Sequence, residues 1–99
     1  SMMKKAKLRK MYFDIYMKYT NNDTSLEDIG LNYNISKQRV WQIIRFCKLG
    51  NGDYYTGLKD YNERIKKIKH YYPSASAKEI NQLMRQWLRI NNIRLIKNG

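Results

Sequence analysis

The sequence predicts an all-α fold of two tandem three-helix units, with about six helices in total. Apolar residues recur at intervals of three and four rather than in strand-like alternation. Polar breaks with helix-capping residues separate these stretches. The order of long helix, polar break, short helix and basic helix also occurs twice, with Trp41 and Trp87 in corresponding places. We therefore expect a repeated helical unit.

The first helix is predicted over residues 4–19. Its first turns are basic and include Lys4 and Lys5, which we expect either to fray into a basic arm or to begin a solvated helix. One apolar stripe recurs at helical spacing and predicts the buried face. The stripe consists of Leu8, Met11, Tyr12, Ile15, Tyr16 and Tyr19.

Capping residues predict where the second and third helices begin. Thr24 is expected to cap the second helix, over residues 25–33, through a capping box with Glu27. Ser36 is expected to cap the third helix, over residues 37–48. The inner positions of the third helix are Val40, Ile43, Ile44 and Cys47.

The short connection between these two helices predicts a helix-turn-helix. Gly30 lies where the helices would cross most closely, and a glycine inside a helix costs about 1 kcal/mol relative to alanine, so we expect close packing to offset that cost. Asn34 can adopt the left-handed conformation of the turn. Tyr33 and Ile35 complete the expected inner set.

A turn-rich stretch divides the chain into a first unit of residues 2–50, a linker of residues 51–57 and a second unit of residues 58–99. The fourth helix ends at Pro73, and Ser76 with Glu79 forms a capping box for a fifth helix over residues 77–84. A sixth helix is predicted over residues 86–97, with a terminal strand as the alternative.

The charge of the chain indicates a polyanionic partner. Twenty Lys and Arg residues oppose 8 Asp and Glu residues, so that the formal net charge is +12. Each half carries 10 basic and 4 acidic side chains, so the excess is not confined to a tail. A charge of this size and spread favours nucleic acid as the partner.

The outward face of the third helix is the candidate surface for reading DNA. Lys and Arg can contact guanine edges or phosphates, and Gln can pair with adenine through two hydrogen bonds. The candidates are Ser36, Lys37, Gln38, Arg39, Trp41, Gln42 and Arg45. Trp41 could equally pack inside or contact a thymine methyl group or a sugar, and Lys4 and Lys5 would contact phosphates.

Two resemblances to known families extend this interpretation. Residues 24–45, with Ser25 to Gly30 and Ile35 to Ile43 as their core, resemble the helix-turn-helix of region 4 of bacterial primary sigma factors, which recognises the minus-35 promoter element. This resemblance implies DNA binding, with Arg39 and Gln42 in contact with DNA. Nothing elsewhere resembles the other sigma regions.

Residues 68–80 and 94–97 are similar to small helix-turn-helix modules that accompany phage and intron-encoded homing endonucleases, although no nuclease motif is present. This similarity implies a second reading surface. Its residues are Arg85, Gln86, Trp87, Arg89, Asn91, Asn92 and Arg94.

Catalytic and metal sites find little support. His70 is the only histidine and Cys47 the only cysteine, so we expect no enzyme activity, no metal and no cofactor. No apolar run approaches the roughly 18 residues that span a bilayer, and no secretory leader is evident. The expected location is the cytoplasm of a bacterial cell or of an infected bacterial host, without membrane contact.

The sequence thus predicts a sequence-specific regulator that binds double-stranded DNA, specifically a repressor of phage or mobile-element origin. Both a tandem monomer and a homodimer suit DNA, so the sequence predicts neither oligomeric state over the other. The alternative is an adaptor that binds RNA polymerase or another host protein, with Tyr54, Tyr55 and Trp87 as exposed anchors.

Overall fold

The computed structural model describes residues 2–90, which contain five α-helices. They are α1 (Met2–Thr20), α2 (Leu26–Tyr33), α3 (Lys37–Leu49), α4 (Tyr54–Tyr71) and α5 (Ala77–Ile90). The prediction of an all-helical chain is confirmed for this range, as expected from apolar residues at helical spacing. None of these helices has both the length and the apolar character needed to cross a bilayer.

The main core lies where α1, α2, α3 and the start of α4 meet. α3 is its central element, because the three most extensive helix–helix contacts are those of α3 with α4, α1 and α2. The predicted inner positions of α3 are buried, and Phe46 is buried beside them. The buried cluster consists of Tyr12, Ile15, Ile29, Val40, Ile43, Ile44, Phe46, Cys47 and Tyr54.

The cap of α2 differs from the prediction. Ser25 caps this helix, since its Oγ accepts a hydrogen bond from the backbone N–H of Asp28 at 3.1 Å. The expected capping box between Thr24 and Glu27 is therefore wrong. The backbone N–H of Thr24 instead donates to the carbonyl oxygen of Lys18 at 3.1 Å, so this residue helps to terminate α1.

The two predicted serine caps, at Ser36 and Ser76, are confirmed. Ser36 Oγ accepts from the backbone N–H of Arg39 at 3.0 Å at the start of α3. Ser76 Oγ accepts from the N–H of Glu79 at 3.2 Å, and the Glu79 carboxylate accepts from the N–H of Ser76 at 2.9 Å. This last bond lowers the pKa of Glu79, because it favours the charged carboxylate.

The predicted linker of residues 51–57 is mostly helix, because α4 begins at Tyr54. Asp53 caps it by accepting from the backbone N–H of Thr56 at 3.1 Å. Gly57 is not a loop residue: it lies inside α4, where a Cβ atom would come within 1.8 Å of the carbonyl oxygen of Phe46. α4 therefore begins inside the main core and runs from there to α5.

The expected break between the fifth and sixth helices is also corrected. α5 is continuous from Ala77 to Ile90, because Met84 and Leu88 continue one buried stripe across residues 84–86. Within residues 2–90, α5 packs against α4 alone. The rest of the predicted sixth helix, with Asn91, Asn92 and Arg94, lies outside the described residues.

Candidate nucleic-acid interface

α2 and α3 are joined by a tight turn whose geometry depends on two residues. Asn34 ends α2 in the left-handed conformation, with φ 55° and ψ 45°. The next N–H, of Ile35, donates to the carbonyl oxygen of Gly30 at 3.0 Å. A Cβ atom on Gly30 would lie 2.7 Å from the carbonyl oxygen of Ile35, so the approach requires glycine. Both sequence predictions for this turn are confirmed.

Two glutamines one helical turn apart, Gln38 and Gln42, are exposed on α3. Lys37 beside them is also exposed, but its Nζ forms an ion pair with Glu27 Oε1 at 2.7 Å. The hydrogen bond to Lys37 is the main cause of the lowered pKa of Glu27. Exposed ion pairs are weak, so the lysine can exchange this carboxylate for a DNA phosphate. Ser36 uses its hydroxyl as the helix cap.

Arg39 does not point outward as predicted. It is half-buried, and its guanidinium donates to three side-chain oxygens: Tyr12 Oη at 3.2 Å, Tyr54 Oη at 3.2 Å and Gln42 Oε1 at 2.7 Å. The guanidinium carbon also lies 5.5 Å from the centre of each tyrosine ring. The side chain turns inward because α1 and α4 place these acceptors beside α3.

The charge of Arg39 is maintained despite this environment. Burial opposes the charged form, but interactions with the Tyr54 and Tyr12 hydroxyls outweigh burial and raise the pKa of Arg39. The guanidinium is therefore a fixed cation behind the exposed face of α3.

Trp41 and Arg45 form a stacked pair farther along α3. The Arg45 guanidinium lies 4.0 Å from the centre of the indole ring, and both side chains are half-buried. Burial lowers the pKa of Arg45, and the charge of Arg85 adds to this effect. Trp41 also lines a shallow depression of about 340 Å³ with Leu26, Lys37 and Gln38.

The basic side of α1 is helical from Met2 onward rather than frayed. Lys4 and Lys5 are exposed, and Lys5 Nζ lies 4.7 Å from the centre of the Tyr55 ring. Arg9 pairs with Asp53, with 2.8 Å between Nε and Oδ1. These contacts join the basic turns of α1 to the start of α4.

α5 exposes three of the side chains predicted for a second reading surface: Arg85, Gln86 and Arg89. Trp87 is half-buried, with the Arg64 guanidinium 5.6 Å from its ring centre. The structure therefore brings part of the predicted set to one exposed side of α5.

The anchors expected for a protein-binding adaptor are not exposed. Tyr54 is buried in the core with 7% of its surface exposed, and Tyr55 and Trp87 are half-buried. Among the described residues, the most exposed tyrosines are instead Tyr71 and Tyr72, at the end of α4, with 73% and 57% of their surfaces exposed, and Phe13 on α1 is 43% exposed.

The sequence did not predict the contact of Tyr12 and Tyr54 with Arg39, and Tyr54 was instead expected to be an exposed anchor of the alternative adaptor. Tyr12 fits the apolar stripe of the first helix, and Tyr54 lay in the predicted linker. The usable signal was the hydroxyl group, because a buried tyrosine needs a hydrogen-bond partner. Nothing in the spacing along the chain indicated that Arg39 is that partner.

The described residues contain no group of three His, Cys, Asp or Glu side chains placed to hold a metal ion. Cys47 is buried, and burial raises the pKa of its thiol to about 12. Its Sγ lies 3.6 Å from the carbonyl oxygen of Tyr12, to which the thiol donates.

Comparisons with known proteins add no family to these observations. No protein-family model matches the chain, and neither does any curated protein or solved structure. The resemblance of residues 24–45 to sigma factor region 4 therefore stays a prediction.

Proposed function

We propose that this chain is a sequence-specific regulator that binds double-stranded DNA through α3. The observation that carries the proposal is the α2–α3 turn, held by Gly30 and Asn34, with Gln38 and Gln42 exposed on the second helix. In helix-turn-helix proteins the second helix enters the major groove, where its first turns contact base edges. Glutamine amides can form hydrogen bonds with those edges.

The charge supports DNA as the partner. The net charge is +12, and basic side chains are exposed on α1 (Lys4, Lys5) and on α5 (Arg85, Arg89). These side chains would contact phosphates and make the affinity strongly dependent on salt. We propose that the chain is of phage or mobile-element origin and acts in the bacterial cytoplasm. We propose a repressor rather than an activator, because occupying a promoter requires no separate activating surface.

The proposal includes a second reading unit, formed by α4, α5 and the residues that follow. Arg85, Gln86 and Arg89 are exposed, whereas Met84 and Leu88 of the same helix are buried. The repeated order of elements in the sequence supports this tandem arrangement. Two reading units in one chain would select a site of about 10 base pairs or more, and a homodimer would select a palindrome.

Selection from random duplexes, followed by binding measurements on two double variants, tests the proposal. Gln38→Ala with Gln42→Ala should remove the sequence preference at the positions that α3 reads but leave binding to random duplexes nearly unchanged. Lys4→Ala with Lys5→Ala should weaken binding to all duplexes alike and reduce the slope of log affinity against log salt by about 2. Unchanged discrimination in the glutamine variant would contradict a reading role for α3.

The exposed pair Tyr71 and Tyr72 favours one alternative, an adaptor that binds RNA polymerase or another host protein, because aromatic residues are enriched at protein interfaces. A pull-down after nuclease treatment distinguishes the two functions. Retention of polymerase together with no binding to random duplex DNA would favour the adaptor. Loss of polymerase on nuclease treatment would favour the DNA-binding regulator.

A further inference from the structure

The amide of Gln42 is oriented by Arg39. The distance between Arg39 Nη1 and Gln42 Oε1 is 2.7 Å. A guanidinium has donors and no acceptor, so the amide atom that faces it must be the oxygen. The NH₂ group of Gln42 is therefore the end of the amide that remains for a ligand, and the side chain is exposed.

Arg39 is itself held from behind. The hydroxyls of Tyr12, from α1, and of Tyr54, from α4, each accept from its guanidinium at 3.2 Å. Both rings are buried, and their centres are 4.2 Å apart. Swinging Arg39 out to a phosphate would remove the partner of both hydroxyls, which is costly for buried groups. This arrangement is better suited to positioning Gln42 than to contacting DNA.

The guanidinium charge also changes what Gln42 can recognise. A cation bonded to the carbonyl oxygen polarises the amide, which strengthens its N–H groups as donors and weakens the oxygen as an acceptor. No side chain in residues 2–90 holds Gln38 in the same way. The two exposed glutamines thus differ: Gln38 can offer a donor and an acceptor, and Gln42 offers strengthened donors beside an oxygen that already accepts from Arg39.

We propose that Arg39 is a positioning residue that makes Gln42 select a keto base, guanine or thymine, in the strand that it reads. This inference rests on the proposed function. Guanine presents O6 and N7 as acceptors in the major groove, and thymine presents O4. Cytosine presents only an amino group there, and adenine presents an amino group beside its N7 acceptor, so the NH₂ group of Gln42 meets a donor at both bases. At adenine, the hydrogen bond that the amino group would donate to a free glutamine oxygen is lost, because Arg39 already donates to that oxygen. Gln38 keeps the two-bond contact with adenine.

The test begins with the selected site and the single position at which Gln42→Ala removes the base preference. Four duplexes that differ only at this position are then compared by competition. The wild-type chain should bind the guanine and thymine duplexes about tenfold more tightly than the adenine and cytosine duplexes. The guanine and cytosine duplexes carry the same base pair in opposite orientations, so overall stability of the DNA is matched.

Arg39→Met removes the guanidinium but keeps a side chain of similar length. It should reduce discrimination against adenine to about twofold, while the preference at the position read by Gln38 stays unchanged. The double variant Tyr12→Phe with Tyr54→Phe keeps both rings and Arg39 but removes the anchoring hydroxyls. This double variant should shift the base preference in the same direction. It replaces Arg39→Met as the test if circular dichroism shows that Arg39→Met does not fold.

Three outcomes would overturn the inference alone: a wild-type preference for adenine at this position, no change of preference in the folded variants, or an equal loss of affinity for all four duplexes in Arg39→Met. The last would identify Arg39 as a phosphate contact. A selection that enriches no sequence would instead overturn the proposed function, and this inference with it.

Discussion

The contact between α3 and α4 depends on the absence of a side chain at Gly57. A Cβ atom at this position would lie 1.8 Å from the carbonyl oxygen of Phe46 and 2.9 Å from the backbone nitrogen of Gly50. Carbon and oxygen atoms in contact are normally about 3.3 Å apart. In Gly57→Ala the two helices would have to separate by roughly 1.5 Å, because backbone atoms cannot rotate away.

This separation would open a region of packed aromatic rings. The Phe46 ring lies 5.4 Å from that of Tyr54 and 5.3 Å from that of Tyr61, and both pairs are edge to face. Overpacking of a core costs about 1–3 kcal/mol, and a displacement of this size belongs at the upper end. The alanine gains about 1 kcal/mol in helix propensity. We expect a net loss of about 2 kcal/mol, which corresponds to a fall in Tm of roughly 8–16 °C.

Thermal and urea unfolding followed by far-ultraviolet circular dichroism measures this loss. Asn62→Ala is the matched control, because Asn62 is exposed on the same helix and gains propensity without a clash. Gly30→Ala should lie between the two variants, since its Cβ atom would be 2.7 Å from the nearest backbone oxygen. A Gly57→Ala chain as stable as Asn62→Ala would refute the reasoning.

Two further predictions concern titratable groups. Burial raises the pKa of the Cys47 thiol to about 12, so its reaction with a thiol reagent at pH 8 should be about a thousandfold slower than that of an exposed thiol. The reaction should become fast only in denaturant. Rapid labelling of the folded chain would contradict the burial of Cys47. Burial opposes the charged form of Asp53, but the hydrogen bonds from Thr56 and the charge of Arg9 outweigh burial and lower the pKa of Asp53. Its ionised form therefore stabilises the fold at pH values above the ordinary pKa of 3.8. This stabilisation disappears as the pH falls through the lowered pKa. Wild type should therefore be more stable than Asp53→Asn at pH 6, with the difference vanishing in strong acid, whereas an equal difference at every pH would show that the charge plays no part.

Much of the fold could be predicted because its signals are local. The caps at Ser36 and Ser76 need only a backbone N–H three residues away, and Asn34 needs only its own tolerance of a positive φ. The requirement for glycine at position 30 was visible for the same reason, since the atom that it approaches belongs to Ile35.

Predictions failed where two local interpretations competed. Thr24 and Ser25 are both good caps, and the hydrogen bond that terminates α1 decides between them. Gly57 follows a glycine-rich stretch and was assigned to the linker, but it lies in α4. Close contact with α3 requires a residue without a side chain at this position. The predicted fifth helix ended at Met84 and the sixth began at Gln86, yet the buried stripe of Met84 and Leu88 continues through this point.

The sequence by itself determined the helical class, the turn between α2 and α3, the basic charge and the exposed glutamines, because each depends on neighbours in the chain or on composition alone. Only the tertiary structure decided the direction of Arg39. Its acceptors Tyr12 and Tyr54 lie 27 and 15 residues away along the chain, and they meet the guanidinium only when α1 and α4 pack on α3. The proposed base preference of Gln42 depends on that packing.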